Sequence, residues 1–265
     1  MDEAANENTI QLAIIGGSGF YEPGMLSDVH EWEVATPYGM IHPLVGKLEN
    51  GVDVAFLARH GREHSVLPHQ VNYRANLWGL KSLGVRRIIA TTAVGSLDES
   101  LQPGMLAIID QFMDFTKQRP LTFFDQGDVL KAHIDVTDAY CSDLRELLRQ
   151  AALKCNIPTR LGGCYVCTEG PRYETRAEVK MFQMLGGTVV GMTGVPEVVL
   201  ARELGLCYAN ISAITNWAAG ITKTALKHSE VVQIMAENQT KIRELITQSL
   251  RGALDKNDCY CQGGK

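Results

Sequence analysis

The sequence of 265 residues is long enough for one large α/β domain with a substantial buried core. Its formal net charge is −5 at pH 7 and it contains no basic block, so a nucleic-acid-binding surface has no electrostatic support and a small ligand is favoured. No apolar run approaches the roughly 18 residues that cross a bilayer, and the start of the sequence, MDEAANENTIQ, is too acidic and polar for a signal peptide. We therefore expect a cytoplasmic protein with no membrane or nucleic-acid partner.

Short apolar runs rich in Val and Ile recur along the chain and have the length of buried strands. In chain order they are LAIIG, VDVAFLA, RRIIATTA, MLAIIDQF, GCYVC, TVVGM and CYANISAI. Three segments between them have helical spacing: NYRANLWGLKSLG, which stops at Gly84; DAYCSDLRELLRQAALKC, where Asp138 can cap the helix; and PEVVLARELG, from Pro196 to Gly205. The alternation predicts an α/β fold with a largely parallel, twisted sheet and helices on both faces.

No linker or internal repeat interrupts this alternation, so we predict a flexible N-terminus at 1–10, one domain at 11–254 and a flexible C-terminal tail at 255–265. The stretch TKQRPLTFFDQGDVLKAH has no clear periodicity, which favours an active-site or interface loop. The seven cysteines lack metal-ligand spacing apart from Cys259 and Cys261 in the tail, and the other five lie in apolar contexts. We expect reduced thiols.

Polar or glycine residues follow five of the predicted strands, at the sheet edge where the chemistry of such folds collects. They are Gly16-Gly17-Ser18-Gly19, Arg59-His60-Gly61, Thr91-Thr92-Ala93-Val94-Gly95, Met192-Thr193-Gly194 and Thr215-Asn216. Glycine-rich turns expose backbone N–H groups, Ser and Thr offer hydroxyls, and the guanidinium of Arg59 can bind an oxyanion through two parallel hydrogen bonds. The combination predicts a phosphate site.

Each motif alone has a simpler interpretation. GGSG lacks the G-x-G-x-x-G spacing of a dinucleotide-binding turn and is equally typical of an ordinary strand-to-helix turn, as is TTAVGS. His60 and His64 lack a third placed ligand, so a surface pair is favoured over a metal site and no metal is expected. ARHG also resembles the phospho-accepting motif of histidine phosphatases, but that family places the motif at its first strand, whereas here a strand and a glycine-rich turn precede it.

Several long segments together resemble the trimeric purine nucleoside phosphorylase and methylthioadenosine phosphorylase family. They are IIGGSGF, LARHGREH, NYRANLWGLKSLG, TTAVGSL, PGMLAIIDQFMDFT, EGPRYETRAE and GMTGVPEVVLARELGLCYANIS, in this order between Leu12 and Leu250. The resemblance implies a single α/β domain whose mixed, twisted central sheet is flanked by helices. It also implies cleavage of a purine nucleoside by inorganic phosphate to free base and sugar 1-phosphate, without metal or organic cofactor.

The resemblance also assigns the phosphate and catalytic residues. Phosphate would contact Ser18, Arg59, His60, Thr92, the backbone at Ala93, and Thr193. His60 and Asn216 would be the catalytic residues, because the purine leaves as an anion and a donor beside N7 neutralises the charge that develops there.

The remaining assignments concern the sugar, the purine and the assembly. Met192 would lie beside the ribose, Tyr173 against the purine and His228 at the 5′-hydroxyl, while His133 would reach the sugar pocket of a neighbouring subunit. The resemblance therefore implies a homotrimer or a dimer of trimers, with a small nucleoside and phosphate as the ligands.

Two residues predict which purine is accepted. Methylthioadenosine phosphorylases have an Asp where this chain has Asn216, and a second Asp where it has Ala218. A carboxamide can donate to O6 and N7 of a 6-oxopurine, whereas a carboxylate would set acceptor against acceptor. Glu174 matches the Glu with which purine nucleoside phosphorylases accept N1–H, a proton that adenine lacks. We therefore predict phosphorolysis of inosine and guanosine in purine salvage.

Other functions stay open at this point. Within the family, the alternative is a 5′-methylthioinosine or methylthioadenosine phosphorylase, because the assignment of His228 decides between a hydroxyl and an apolar 5′ substituent. Outside the family, a phosphatase-like hydrolase would release phosphate from phosphoesters instead of consuming it. A non-catalytic nucleotide-binding module would show no turnover.

Overall fold

A mixed sheet of eleven strands dominates the computed structural model, which describes residues 10–125, 133–222, 228–251 and 259–262, without the side chains of 228–230 and 262. The strands in this part of the chain are β1 (Leu12–Gly16), β2 (Ser27–Glu31), β3 (Val34–Thr36), β4 (Gly39–Ile41), β5 (Leu44–Lys47), β6 (Asp53–Ala58), β7 (Arg87–Ser96), β8 (Leu106–Ile108), β9 (Gln111–Phe115), β10 (Thr159–Leu161), β11 (Cys164–Thr168), β12 (Val189–Gly191) and β13 (Cys207–Trp217). The helices are α1 (Tyr73–Ser82), α2 (Ser142–Lys154), α3 (Arg176–Met184), α4 (Glu197–Glu203) and α5 (His228–Leu250).

The order across the large sheet is β10-β8-β13-β7-β1-β6-β5-β2, with β9, β11 and β12 joined beside β7, and β3 pairs with β4 alone. The four central strands β13, β7, β1 and β6 are parallel and almost entirely buried. Strands buried on both faces need apolar side chains at nearly every position, which explains their sequences. Because β2, β5 and β8 pair in antiparallel fashion, the sheet as a whole is mixed.

Helices cover both faces of the sheet, as β1 illustrates. Ala13 and Ile15 pack in a core that includes residues of α1 and α4, whereas Leu12 and Ile14 pack in a core that includes residues of α2 and α5. Side chains alternate between the faces of a strand, so one strand serves both layers. Each of the Leu and Ile side chains contributes about 1.5–3 kcal/mol when fully buried.

All seven predicted strands are present, and three differ in extent. The strand β7 continues to Ser96, so that Thr91–Gly95 lie within it instead of after it. MLAIIDQF divides into β8 and β9, and the last run continues to Trp217, so that Thr215 and Asn216 lie within β13 instead of after it. The pairing of β13 with β7 shifts register between Ile214 and Asn216, which marks a β-bulge at Thr215. A bulge re-aims the side chains that follow it.

The helix predictions are confirmed for α1, α2 and α4, with one correction. The N-cap of α2 is Cys141, which makes no side-chain capping bond, so the expectation that Asp138 caps the helix is wrong. The sequence analysis did not single out α3, although Thr175 and Glu178 form a capping box before it. It also missed β2, which is fully exposed and therefore lacks an apolar pattern.

The chain ends depart from the predicted boundaries. Ile10 is buried, so the ordered core begins one residue before the predicted limit, and residues 1–9 lie outside the described part. Cys259 and Cys261, which belong to the predicted flexible C-terminal tail, are buried in the core shared by α2 and α5. Within the described ranges, no helix combines the length and apolar character that a bilayer crossing needs.

Candidate active site

A cavity of about 400 Å³ lies where the ends of β1, β6, β7, β12 and β13 converge. This volume falls within the range of small-molecule sites. The residues around it are Ser18, His60, His64, Leu67, Pro68, Ala93, Val94, Gly95, Pro171, Tyr173, Glu174, Val190, Gly191, Met192, Thr193, Thr215, Asn216 and Val231. The predicted residues Ser18, His60, Ala93, Tyr173, Glu174, Met192, Thr193 and Asn216 thus share one cavity.

A second cavity of about 520 Å³ lies beyond the loop that follows β6, among Tyr21, Ile41, Arg62 and Gln70. It is larger, but Ser18, Thr193 and Asn216 do not line it. The smaller cavity is therefore the candidate active site, because polar side chains from the ends of four separate strands, β1, β6, β12 and β13, converge there.

The glycine-rich turn after β1 packs tightly against β7. The backbone N–H of Gly17 donates to Oγ1 of Thr91 at 2.9 Å, and a Cβ on Gly17 would lie 2.4 Å from the carbonyl oxygen of Thr91. Only glycine permits this approach. The contact fixes the turn so that Ser18 lines the cavity.

His60 is buried and enters the cavity as a neutral imidazole. Burial, together with the neighbouring charge of Arg59, lowers the pKa of His60 to about 4. Its Nδ1 lies 2.8 Å from the carbonyl oxygen of Val66. Because a carbonyl only accepts, Nδ1 carries the proton and Nε2 is left as an acceptor.

Arg59 does not have the free guanidinium that the sequence analysis expected. Its Nε and Nη2 donate to the two carboxylate oxygens of Glu197, each at 2.6 Å, and its Nη1 donates to the carbonyl oxygen of Thr91 at 2.9 Å. Both side chains of the pair are 0% exposed. Burial opposes the charge of Arg59, but the carboxylate of Glu197 outweighs it and raises the pKa of Arg59. The bidentate fork predicted for phosphate is therefore occupied by Glu197, and Arg59 does not line the cavity.

Thr92 also departs from its predicted role. Its hydroxyl donates to Oδ1 of Asn210 at 3.2 Å and lies 3.0 Å from Oγ of Ser212. Thr92 is 1% exposed and is absent from the cavity wall, where Ala93 lies instead. Successive side chains of a strand point to opposite faces, so Thr92 joins a buried polar network between β7 and β13.

The amide of Asn216 is held in a defined orientation. Its Oδ1 accepts from Oγ1 of Thr215 at 2.8 Å, and its Nδ2 donates to the carbonyl oxygen of Trp217 at 2.9 Å. A carbonyl beside Nδ2 and a hydroxyl beside Oδ1 distinguish the two ends of the amide. One N–H and one lone pair of Asn216 are left for a ligand.

Glu174 lies in the same cavity with much of its carboxyl group buried. Burial raises the pKa of Glu174, and a hydrogen bond that Oε1 accepts from the hydroxyl of Thr168 at 2.9 Å partly opposes the rise. The second oxygen keeps its capacity to accept. Tyr173, which precedes Glu174 in the chain, is 37% exposed at the cavity wall. An aromatic ring in this position can stack on a planar ligand.

The sugar assignments have mixed outcomes. Met192 lines the cavity, and a Cβ on Gly170 would lie 2.6 Å from its Sδ, so a loop backs this side chain closely. The side chain of His228 lies outside the described residues. His133 is exposed and does not line the cavity within this chain.

Arg119 is a supporting residue that the sequence analysis did not single out, although it lies in the aperiodic stretch predicted as an active-site loop. Its guanidinium donates to the carbonyl oxygens of Val195 at 2.7 Å, Glu169 at 2.8 Å and Thr168 at 3.2 Å. It thereby ties together the segments that lead to Met192 and to Tyr173. The signal was an Arg in a stretch without clear periodicity, which alone does not name its partners.

The chain matches the family described as the Phosphorylase superfamily over residues 11–251, and it belongs to that family. A 6-oxopurine nucleoside phosphorylase of Pyrococcus furiosus is 46% identical over 95% of this chain and 96% of its own length. An S-methyl-5′-thioadenosine phosphorylase of the same organism is 45% identical over 95% of this chain and 96% of its own length. A probable 6-oxopurine nucleoside phosphorylase of Dictyoglomus turgidum reaches 50% identity over 96% of this chain and 95% of its own length, so overall identity favours the 6-oxopurine phosphorylases among these relatives.

Solved structures agree on the fold. A methylthioadenosine phosphorylase from an antarctic soil metagenomic library superposes with a TM-score of 0.90 at 36% identity, covering 97% of this chain and 91% of that one. The single α/β domain with a mixed central sheet, implied by the resemblance, is thus confirmed.

Proposed function

We propose that this protein is a purine nucleoside phosphorylase that converts 6-oxopurine nucleosides and inorganic phosphate to free base and ribose 1-phosphate in the cytoplasm. The observation that carries the proposal is the meeting of two groups of residues in one cavity. Ser18, His60 and Thr193 offer hydrogen bonds to an anion, and Glu174 and Asn216 offer an acceptor and a donor to a purine. A nucleoside bound between them would bring its anomeric carbon to phosphate.

Phosphate is held chiefly by neutral groups in this proposal. Hydroxyls of Ser18 and Thr193 and backbone N–H groups of the strand-end turns donate to its oxygens. The acceptor Nε2 of His60 suits hydrogen phosphate, which carries a proton, better than sulfate, which carries none at neutral pH. Holding phosphate beside the anomeric carbon supplies much of the rate acceleration, because the two reactants no longer lose translational entropy when they react. The bound anion also stabilises the oxocarbenium-like sugar of the transition state.

The base is recognised through its 6-oxo face. Asn216 donates its remaining N–H to the O6 and N7 edge, and the carboxylate of Glu174 accepts from N1–H. As the glycosidic bond breaks, electron density moves onto the purine, and a fixed donor at N7 stabilises the leaving group. Because burial raises the pKa of Glu174, this carboxyl group becomes protonated at a higher pH than a solvated one. Protonation removes the carboxylate that accepts from N1–H.

The test is release of free base from inosine, 5′-methylthioinosine and 5′-methylthioadenosine, each with and without phosphate. We expect inosine to be cleaved only when phosphate is present, with ribose 1-phosphate as the second product, and sulfate to compete weakly. Preferred cleavage of 5′-methylthioinosine would favour the alternative with an apolar 5′ pocket. Release of free ribose without phosphate, or no turnover, would refute phosphorolysis.

We further propose that the enzyme is a trimer or a dimer of trimers in which His133 serves a neighbouring subunit. The proposed assembly accounts for the position of His133, which the resemblance assigns to the sugar but which is exposed and absent from the cavity wall of its own chain. Sedimentation equilibrium should give a trimer or a multiple of it. His133→Ala should lower kcat/KM by up to about tenfold, the loss of one hydrogen bond, without changing the assembly. A fully active monomer would contradict both the assembly and the shared pocket.

A further inference from the structure

A buried tyrosine lies directly behind the segment that carries two of the cavity residues. Met192 and Thr193 follow β12 and line the cavity. Tyr165 belongs to β11, the parallel neighbour of β12, and is 0% exposed. Because Tyr165 does not line the cavity, any effect that it has on a ligand acts through the segment in front of it.

Two glycines allow the ring of Tyr165 to approach this segment closely. A Cβ on Gly191 would overlap Oη of Tyr165, and a Cβ on Gly194 would lie 2.9 Å from its Cε1. Neither position has room for a side chain in a closely packed interior. Since these glycines flank Met192 and Thr193, the ring contacts the segment on both sides of the two cavity residues.

The hydroxyl of Tyr165 holds the backbone of Thr193. The backbone N–H of Thr193 donates to Oη of Tyr165 at 3.3 Å. Burial raises the pKa of Tyr165, and hydrogen bonds with Thr193 oppose the rise only in part, so the phenol stays neutral. Because this N–H is engaged, the donor that Thr193 has left for a ligand is its side-chain hydroxyl.

A second side chain of β11 holds the same segment further along. The backbone N–H of Val195 lies 3.4 Å from Sγ of Cys167, and this Sγ lies 3.5 Å from the carbonyl oxygen of Val195. Side chains two residues apart on a strand point to the same face, so Tyr165 and Cys167 support the segment together. The backbone of Thr193 is therefore held from behind on both sides of Gly194.

We propose that Tyr165 is a positioning residue for phosphate: its hydroxyl fixes the backbone of Thr193 so that the Thr193 hydroxyl, and not its N–H, donates to the anion. This role depends on the proposed phosphorolysis, which it extends to a residue outside the cavity. The guanidinium of Arg59 is engaged by Glu197, so phosphate relies on neutral donors, each of which contributes little alone. A donor that is already in place avoids the cost of ordering it on binding.

Tyr165→Phe tests this role, because it removes the hydroxyl and keeps the ring between the two glycines. KM for phosphate should rise about two- to tenfold, the range expected for one hydrogen bond, while kcat at saturating phosphate and KM for inosine change little. Phosphate should also raise the melting temperature of the variant less than it raises that of wild type at the same concentration. A purely structural tyrosine would lower the melting temperature without this selective effect on phosphate.

Tyr140→Phe is the matched control. Tyr140 is 1% exposed, and its hydroxyl has no hydrogen-bond partner among the residues that the structure describes. The substitution removes the same atom from an equally buried side chain that does not line the cavity, so KM for phosphate should equal that of wild type. An equal rise of this KM in both variants, or no rise in Tyr165→Phe, would overturn the role of Tyr165.

A crystal structure of wild type with phosphate covers the case in which Tyr165→Phe does not fold. Oγ1 of Thr193 should lie within about 3 Å of a phosphate oxygen, and the N–H of Thr193 should still donate to Tyr165. An N–H of Thr193 that points to the anion instead would refute the positioning role. Cleavage of inosine by wild type without phosphate would refute the proposed function and this role with it, whereas a phosphate-dependent wild type beside an unaffected Tyr165→Phe would refute the role alone.

Discussion

Asn216→Asp should lower kcat/KM for inosine by about 10⁴-fold, the discrimination typical of sites that hydrogen-bond a polar substrate group. The change replaces an N–H donor by an anion at the O6 and N7 edge, so the purine loses a hydrogen bond and faces a repulsion in a desolvated pocket. It also sets a carboxylate oxygen against the carbonyl oxygen of Trp217, where Nδ2 donates now. The measurement is kcat/KM for inosine and adenosine in each variant, with the melting temperature recorded to exclude unfolding.

The gain on adenosine should be small in the single variant. Glu174 would still present an acceptor to N1 of adenine, which is itself an acceptor. Only Asn216→Asp combined with Glu174→Ser should favour 6-aminopurines appreciably. Asn216→Ala is the matched control, because it removes the donor without adding a charge and should cost less on inosine. An unchanged ratio of inosine to adenosine activity in Asn216→Asp would mean that Asn216 does not select the base.

Glu197→Gln should destabilise the protein by about 3–5 kcal/mol, because it leaves the guanidinium of Arg59 buried without a countercharge. Both side chains of this pair are 0% exposed, and Glu197 also accepts from the hydroxyl of Tyr208 at 2.7 Å. Asp53→Asn, which breaks the partly exposed pair of Lys47 and Asp53, should cost less than about 1 kcal/mol. The measurement is the urea midpoint at one fixed protein concentration, since assembly contributes to apparent stability.

The same pair distinguishes a structural from a ligand-binding role for Arg59. Arg59→Met/Glu197→Leu removes both charges and should recover much of the loss, since an apolar pair avoids desolvation. In the folded fraction of Arg59→Met/Glu197→Leu, KM for phosphate should change little. A large rise in that KM with stability unchanged would restore Arg59 as a phosphate ligand.

The sequence predicted the side of the sheet at which the candidate cavity lies, because buried strands and the polar residues after them are local signals. It did not predict the partners of Arg59, since Glu197 lies 138 residues further along the chain and only the fold brings them together. Thr92 was assigned by resemblance, whereas the alternation of side chains on β7 decides that Ala93 faces the cavity. The sequence did not predict that Cys141 and Cys207 lie beside Cys259 and Cys261 for the same reason, because these residues are far apart along the chain.

The bulge at Thr215 has a consequence for the evolution of the sequence of β13. Before the bulge, the side chains of β13 fill the core on both faces of the sheet, and any substitution there disturbs packing. After it, Asn216 lines the cavity and belongs to none of the apolar clusters. With the role proposed for Asn216, selection can act on the choice of base at this position while the core stays constant, so one fold can support enzymes that accept different purines.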